Sequence, residues 1–279
     1  LPSICMDVLD SLGLKIPEEV MCTPSTLGLF YAPPSGKNNG GYVKNYRLLN
    51  VDRDKFDKWL RATARIQGSE IIHNAELMKL QADRDIKVTL KVNDNTIHLL
   101  SRYLIGADGT FSIVRKYLYP NMKMECLPIL QELWSATGDF GEYFYTIFNS
   151  KITNSYSYVI PKNENFIVGT AASQNHDVSP SECITRFKNW LQKEFQFRPL
   201  KLERKEASAI PYASPLCGKG NVILVGDAAG FCNNLSGEGV RFAIESSVAA
   251  CQAIVEAQRK NGDLASIYAD NVQPLVEFI

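Results

Sequence analysis

The sequence predicts a mixed α/β (α+β) fold in which an α/β domain is interrupted by an inserted antiparallel sheet. Residues 102–115 and 221–240 each run from an apolar strand through a glycine–aspartate turn into a helix. Between them, residues 142–172 are rich in aromatic and β-branched side chains, which is typical of antiparallel strands. We therefore predict a discontinuous first domain, residues 1–120 and 217–279, and an inserted second domain, residues 121–216.

Composition and charge exclude several classes of protein. The chain has 279 residues, 45% of them hydrophobic, and a formal net charge of zero. It is long enough for two domains, and it offers no electrostatic basis for binding nucleic acid. No apolar run approaches the roughly 18 residues needed to span a bilayer. The seven cysteines are scattered and His73, His98 and His176 are isolated, so we expect reduced thiols in a cytosolic protein and no metal site.

The N-terminal part alternates helix and strand signals. Asp52 is placed to cap a helix over 53–67, whose apolar face is Phe56, Trp59, Leu60, Thr63 and Ile66. A strand is predicted over 70–80. Alternating apolar residues at Ile86, Val88, Leu90 and Val92 then predict a hairpin that turns at 93–95 and returns over 97–100.

The middle and the end of the chain follow the same reasoning. Strands are predicted over 142–148, 156–160 and 166–172, with a turn at 161–165. A capping box at 179–182 opens a helix that buries Ile184, Phe187, Leu191 and Phe195. A long helix is predicted over 238–260, and its core face is expected to be Val240, Ile244, Val248, Cys251 and Val255.

Residues 221–240 carry the strongest functional signal. The apolar run 221–225 is suited to a buried strand, and Gly226 allows a sharp turn. Asp227 then lies at the carboxyl end of that strand, where open α/β sheets bind ligands. Gly237 and Gly239 precede a helix whose free N–H groups favour an electron-rich ligand edge. These features suit a polyol chain that ends in a ring able to take up negative charge.

This segment, with its Gly-Asp-Ala-Ala-Gly and Gly-Glu-Gly-Val sequences, resembles the second flavin motif of FAD-dependent oxidoreductases with the para-hydroxybenzoate hydroxylase fold. The resemblance implies a Rossmann-like FAD-binding domain. It also implies that Gly226 and Asp227 hold the ribitol, and that Gly237, Gly239 and Val240 face the pyrimidine side of the ring. No G-x-G-x-x-G fingerprint follows a strand. Either about forty residues carrying that βαβ unit precede Leu1, or the flavoprotein is shortened and holds FAD weakly.

Residues 106–115 resemble a second motif of the same superfamily, Gly-Ala-Asp-Gly-x-x-Ser-x-Val-Arg. The resemblance implies that Asp108 and Gly109 shape a turn beneath the cofactor. Ser112 and Arg115 would begin the next helix. Two such motifs in this order strengthen the identification of the fold.

Three further segments are similar to the geranylgeranyl reductase family. Residues 52–60 resemble its Arg-x-x-Phe-Asp-x-x-Leu helix, which implies that Arg53 lies near the cofactor. Leu77 is predicted as a further cofactor-binding residue. Residues 156–162 resemble its Tyr-x-Trp-x-Phe-Pro-Lys strand, with Tyr158 and Ile160 at the Trp and Phe positions. This implies a substrate contact by Tyr156, Tyr158 and Pro161. Residues 4–7 resemble its Cys-Gly segment, which makes Cys5 a candidate catalytic residue, although Met6 replaces the glycine.

The resemblance implies an FAD-dependent reductase of double bonds in an isoprenoid or other apolar substrate. NAD(P)H or a ferredoxin-like donor would reduce the flavin, whose N5 would pass a hydride to the substrate. A lipid substrate would bring peripheral contact with membranes. Two other functions stay open: an aromatic monooxygenase or halogenase of the same fold, and a non-catalytic flavoprotein that acts in binding or redox sensing. The sequence sets no oligomeric state.

Overall fold

The computed structural model describes residues 1–2, 4–83, 85–172 and 178–279. They form two compact units, the first made of 1–63 and 127–209, the second of 64–126 and 210–279. His176 lies outside the described residues. We assigned cofactor binding to the predicted domain of residues 1–120 and 217–279, and substrate binding to residues 121–216. That assignment stays a prediction.

The mixed α/β architecture is confirmed. The α-helices of the described residues are α1 (Ile4–Ser11), α2 (Arg53–Ile66), α3 (Ile113–Leu118), α4 (Pro180–Phe195), α5 (Gly226–Ala229), α6 (Val240–Lys260) and α7 (Leu264–Val276). The strands before the insertion are β1 (Met21–Ala32), β2 (Gly41–Tyr42), β3 (Leu48–Val51), β4 (Ala75–Ala82), β5 (Ile86–Val92), β6 (Asn95–Ser101) and β7 (Leu104–Gly106). The later strands are β8 (Cys126–Thr137), β9 (Tyr143–Ile147), β10 (Ser157–Lys162), β11 (Asn165–Ala171), β12 (Arg198–Pro211), β13 (Gly218–Lys219) and β14 (Val222–Leu224).

The first unit is built on a large sheet with the strand order β12-β8-β11-β10-β9-β1-β2, and β3 pairs with β1. The sequence predicted a sheet formed by residues 121–216 alone. The structure differs, because Gly28–Ala32 of β1 pairs in parallel with Tyr143–Ile147 of β9. Helix α4 covers one face, and its residues Ile184, Phe187, Leu191 and Phe195 are buried as predicted.

The hairpin of β10 and β11 is tighter than the sequence predicted. Pro161 pairs with Phe166 and Lys162 pairs with Asn165, so both residues extend β10. The turn therefore contains only residues 163 and 164, and Asn163 takes a left-handed φ of 57°, which asparagine tolerates well. Pro161 is buried within the strand.

The second unit contains two three-stranded sheets, β13-β14-β7 and β4-β5-β6. Strands β14 and β7 are parallel, and the predicted hairpin of β5 and β6 is confirmed. Strand β4 begins at Ala75 rather than at residue 70. The strand β14 is fully buried beneath α6 and α7, as the apolar run 221–225 predicted.

Helix α6 buries the face opposite to the predicted one. Val240, Ile244 and Val248 are half-buried, whereas Cys251 and Val255 are exposed. The buried residues are Phe242, Ser246, Ala249, Ala250, Ala253 and Ala257. At about 100° per residue, these two sets lie on opposite sides of the helix. Small side chains thus form the packed face, and they allow neighbouring elements to approach closely.

Helix α2 begins as predicted, because Oδ1 of Asp52 accepts a hydrogen bond of 3.2 Å from the backbone N–H of Lys55. Phe56 is buried, but Ile66 at the last turn is 82% exposed, so the predicted apolar face is wrong at that position. Within the described residues, no helix has the length and apolarity needed to cross a membrane.

Candidate cofactor site

The turn after β14 brings α6 close to Gly226. This glycine has a φ of 52°, and a β-carbon on it would lie 3.1 Å from Cβ of Ala243. Its backbone N–H donates a 3.0 Å hydrogen bond to Oγ of Ser246, which is buried in α6. A larger residue at position 226 would be strained and would push α6 away. Gly226 therefore positions the following residue, Asp227, against the start of α6.

The carboxylate of Asp227 is the point where the two glycine–aspartate motifs meet. It is half-buried, and its Oδ2 accepts a 3.3 Å hydrogen bond from Oγ1 of Thr110, which follows the turn of the first motif. On the other side, a β-carbon on Gly239 would lie 3.1 Å from Oδ1 of Asp227. The sequence predicted Gly226, Asp227 and Gly239 as one site, and the structure brings them together.

Arg115 holds this arrangement from beneath, a role that sequence reasoning missed. The side chain is buried, and its Nη1 donates to the carbonyl oxygen of Ala228 at 2.8 Å and that of Asp227 at 3.4 Å. Its Nη2 donates to the carbonyl oxygen of Thr110. Burial lowers the pKa of the guanidinium. One side chain thus joins the backbone of both motifs.

Asp108 is an exposed residue that serves the local turn. Its Oδ1 accepts from Oγ of Ser112 at 2.5 Å, and its Oδ2 accepts from the N–H groups of Ile113 at 2.7 Å and Val114 at 3.2 Å. Ser112 in turn caps α3 by accepting from the N–H of Arg115 at 2.9 Å. The carboxylate stabilises the start of α3, and this agrees with its predicted part in shaping the turn.

The loop before α6 is closed by hydrogen bonds to Asn233. Its Oδ1 accepts from the N–H groups of Leu235 and Ser236 at 3.1 and 2.9 Å. Its carbonyl accepts from the N–H of Gly237, which has a φ of 68°. Gly239 has a φ of −120°, so it is needed there for space beside Asp227 and not for an unusual backbone conformation.

The donor and acceptor groups of this loop fit a ligand rich in hydroxyl and N–H groups. Two acceptors of the loop, Oδ1 of Asn234 and Oε1 of Glu238, are buried without a hydrogen-bond partner. The same holds, among the described residues, for Oε2 of Glu245 within α6 and for two atoms outside this loop, Oδ1 of Asn50 and Oη of Tyr268. Burial raises the pKa of the Glu238 carboxyl. Buried acceptors are nearly always satisfied in native proteins, so a ligand that supplies donors here would complete the site. The ribitol hydroxyls and ring N–H of FAD are donors of this kind.

Two further residues were predicted to bind the cofactor, Leu77 in the second unit and Arg53 in the first. Leu77 pairs with Leu90 across the β4–β5 sheet and is partly buried against the core of the second unit. Arg53 is the first residue of α2 in the first unit, is exposed, and forms a 3.4 Å ion pair with Asp57. Their contacts with a cofactor stay predictions.

The predicted substrate residues are buried in the first unit. Tyr158 is 9% exposed, and its Oη donates a 2.8 Å hydrogen bond to Oε1 of Gln131. Burial raises the pKa of its phenol. Tyr156 and Pro161 are also buried. Cys5 lies in α1 and is 1% exposed, which fits an unreactive thiol as well as the predicted catalytic one.

No metal cluster marks another site in the described part of the chain. No group of three or more His, Cys, Asp or Glu side chains is placed there to bind a metal ion. None of the seven cysteines forms a disulfide. A shallow cavity of about 470 Å³ opens between α4 and β12 beside Gln196 and Phe197, but none of its lining residues is a predicted site residue.

Solved structures with this fold include several flavoproteins. A geranylgeranyl bacteriochlorophyll reductase-like protein from Thermoplasma acidophilum superposes with a TM-score of 0.81 at 19% identity, over 97% of this chain and 71% of that one. The flavin-dependent halogenase CmlS superposes with a TM-score of 0.75 at 16% identity, over 99% of this chain and 54% of that one. Both comparisons show the para-hydroxybenzoate hydroxylase-like fold that the sequence predicted.

Sequence comparison identifies the family. Protein CbrA of Escherichia coli strain K12 is 30% identical over 243 residues, which are 84% of this chain and 66% of that protein. The chain therefore spans about two thirds of the length of this relative. Residues 3–275 match the model of the FAD binding domain family. The chain therefore belongs to the FAD binding domain family of flavoproteins.

Proposed function

We propose that the second unit binds the ribitol of FAD through the carboxylate of Asp227. This proposal rests on the close approach of Gly239 to Asp227, because a β-carbon on Gly239 would lie 3.1 Å from Oδ1 of the carboxylate. Since glycine has no side chain, it leaves space beside the carboxylate on the side of α6. A carboxylate that accepts from a sugar hydroxyl forms a charge-assisted hydrogen bond, stronger than a neutral one.

The start of α6 would face the pyrimidine side of the ring. Backbone N–H groups in the first turn of a helix have no intrahelical acceptor, and α6 is 21 residues long. Its positive dipole end favours an edge that takes up negative charge. Gly237, Gly239 and Val240 would form this contact, while Asp108 shapes the turn of the first motif. Arg53 and Leu77 are proposed as further cofactor contacts.

We infer that the protein reduces double bonds in an isoprenoid or other apolar lipid, with NAD(P)H or a ferredoxin-like protein as electron donor. Bound FAD supplies a hydride donor at N5. The resemblance of residues 156–162 to the geranylgeranyl reductase strand supports the substrate class, as does the fold shared with the reductase-like protein from Thermoplasma acidophilum. A lipid substrate also favours peripheral contact with membranes.

An aromatic row on the sheet of the first unit supports an apolar substrate. Tyr31, Phe148, Tyr156, Tyr158 and Phe144 follow one another with ring centroids 5.3, 6.3, 6.2 and 6.0 Å apart. Alternation along β10 places Tyr156 and Tyr158 on the face opposite to Val159, which packs in the core beneath α4. Apolar ligand sites are lined mainly by such aromatic side chains.

A second candidate is a monooxygenase or halogenase of the same fold, which the similarity to the halogenase CmlS favours. The chemistry separates the candidates. A reductase adds two hydrogen atoms to the substrate, a monooxygenase adds one oxygen atom from O₂, and a halogenase adds a halogen atom.

The test is anaerobic and aerobic turnover of the FAD-loaded protein with NADPH, or with a reduced ferredoxin, and a polyprenyl lipid. Mass spectrometry of the lipid should show a gain of two hydrogen atoms per double bond, without oxygen dependence. Oxygen-dependent addition of an oxygen atom to an aromatic substrate, or halide-dependent halogenation, would establish the second candidate. Tight FAD binding without turnover of any substrate would leave the non-catalytic flavoprotein.

A further inference from the structure

The β10–β11 turn is fastened to the end of β3 by side-chain hydrogen bonds. Nζ of Lys162 donates to the carbonyl oxygen of Val51 at 2.7 Å. Nδ2 of the buried Asn50 donates to the carbonyl oxygen of Pro161 at 2.9 Å. Asn163 and Thr23 also pair, because each donates its backbone N–H to an oxygen of the other, at 2.7 and 2.8 Å. The end of β3 is therefore held from the neighbouring strands.

This fastening sets where α2 begins. Val51 is the last residue of β3, and Arg53 is the first residue of α2. Between them, the N–H of Asp52 donates to the carbonyl oxygen of Val20 at 2.8 Å, and its side chain caps the helix. The carbonyl group that accepts from Lys162 is therefore two residues from Arg53. Because no loop separates β3 from α2, a movement of Val51 would also move the start of α2.

The ammonium group of Lys162 also acts on Arg53 through charge. Burial lowers the pKa of Lys162, the nearby Cys22 and Asp52 raise it, and the positive charge of Arg53 lowers it. Like charges repel, and the exposed Arg53 side chain forms its 3.4 Å ion pair with Asp57, one turn further along α2.

We propose that Lys162 is a positioning residue for FAD binding, which it supports by fixing the start of α2 and with it the position of Arg53. The inference rests on the proposed function, in which Arg53 contacts FAD. Burying an ammonium group costs free energy, a cost that an apolar residue at this position would avoid. A lysine at this position is therefore better explained by what it does to its neighbours than by stability.

A double-mutant cycle tests this inference. The dissociation constant for FAD is measured by flavin fluorescence for the apoprotein and for the variants Lys162→Met, Arg53→Met and the double variant. We expect each single change to weaken FAD binding about tenfold or more. Because Lys162 acts through Arg53, the double variant should bind FAD no more weakly than Arg53→Met alone.

The matched control is Lys188→Met, which removes another partly buried lysine of the first unit. Nζ of Lys188 forms a 2.8 Å ion pair with Glu132 and lies over the Trp134 ring. This change should lower the melting temperature while leaving the dissociation constant for FAD within about twofold of the original. If Lys162→Met fails to fold, Lys162→Arg keeps a cation at the site and should give a smaller loss of FAD affinity through the same cycle.

Any of three results would overturn the inference. One is a Lys162→Met protein that loses stability but binds FAD as before, and another is a double variant in which the two losses multiply. An Arg53→Met protein with unchanged FAD affinity would also overturn it. Loss of FAD affinity in Asp227→Ala would then still support the proposed cofactor site, so the two failures are distinguishable.

Discussion

A β-carbon on Gly239 would lie 3.1 Å from Oδ1 of Asp227 and 3.8 Å from Sγ of Cys232. The first distance is tighter than an ordinary van der Waals contact, and the buried sulfur limits how far the loop can retreat. The conformation of Gly239 itself, with a φ of −120°, accepts any residue. A substitution therefore acts on Asp227 and on the space beside it.

Gly239→Val should abolish FAD binding while leaving most of the fold. The branched side chain would displace the carboxylate of Asp227 and fill the space at the start of α6. Absorbance of bound flavin and circular dichroism measure the two effects. Gly41→Ala is the control, because a β-carbon there meets no atom within 4 Å. Normal flavin absorbance in Gly239→Val would show that the loop does not approach the cofactor.

Asp227→Ala should lose FAD without unfolding the protein. The change removes one charge-assisted hydrogen bond, worth roughly 1.5–3 kcal/mol, so FAD affinity should fall about ten- to a hundredfold. Titration of the apoprotein with FAD measures the loss. Thr110→Val is a useful comparison because it removes the 3.3 Å hydrogen bond that Thr110 donates to the carboxylate and leaves the carboxylate itself in place. Unchanged flavin content in purified Asp227→Ala would refute the assignment.

The strand–turn–helix around Asp227 could be predicted because its signals are local. A short apolar run, a glycine and a carboxylate specify a strand end and a turn without knowledge of the rest of the chain. The helix of residues 180–195 was predicted for the same reason, from its capping box and apolar spacing.

The buried face of α6 and the role of Arg115 could not be predicted from local signals. Which side of α6 is buried depends on the elements that pack on it, and here its alanines allow closer packing than its valines would. Arg115 binds backbone carbonyl groups, which every residue has. A partner of this kind leaves no mark in the sequence.

Arg115→Met should destabilise the second unit and weaken FAD binding together. The change leaves the carbonyl groups of Thr110 and Ala228 without their donor, and we expect a loss of about 2–4 kcal/mol in the free energy of unfolding. Arg115→Lys should rescue little, because one ammonium group cannot reproduce the planar fork. Urea unfolding measures stability, with the exposed Lys116→Met as control. Equal midpoints for Arg115→Met and Lys116→Met would show that the buried contacts contribute nothing.

Cysteine reactivity should follow burial. Cys251 is exposed and should react with iodoacetamide at about pH 8, whereas Cys232 is buried and its pKa is raised to about 12. Because the unfolded thiol ionises near 9.0, the contribution of Cys232 to stability is complete below that pH. It is lost as the pH rises towards about 12. Mass spectrometry after labelling of native and urea-unfolded protein would test this, and fast native labelling of Cys232 would contradict it.

Variants of Tyr158 can show whether the aromatic row only packs in the core of the first unit or also contacts the substrate. Its ring lies against Gly169, where a β-carbon would come 2.1 Å from Cζ of the tyrosine, and its hydroxyl is bound to Gln131. Tyr158→Ala should therefore cost roughly 3–5 kcal/mol of stability. Tyr158→Phe keeps the ring and should cost about 1 kcal/mol.

The decisive measurement on Tyr158 is turnover of a long apolar substrate by the folded fraction of each variant. If Tyr158 contacts substrate, Tyr158→Phe should retain most of the stability yet change kcat/KM, because the hydroxyl group is lost at the contact. FAD affinity should not change, because none of the proposed cofactor contacts is made by the aromatic row. A large fall in melting temperature for Tyr158→Ala, with unchanged kinetics in the folded fraction of both variants, would leave Tyr158 as a core residue and exclude the substrate contact.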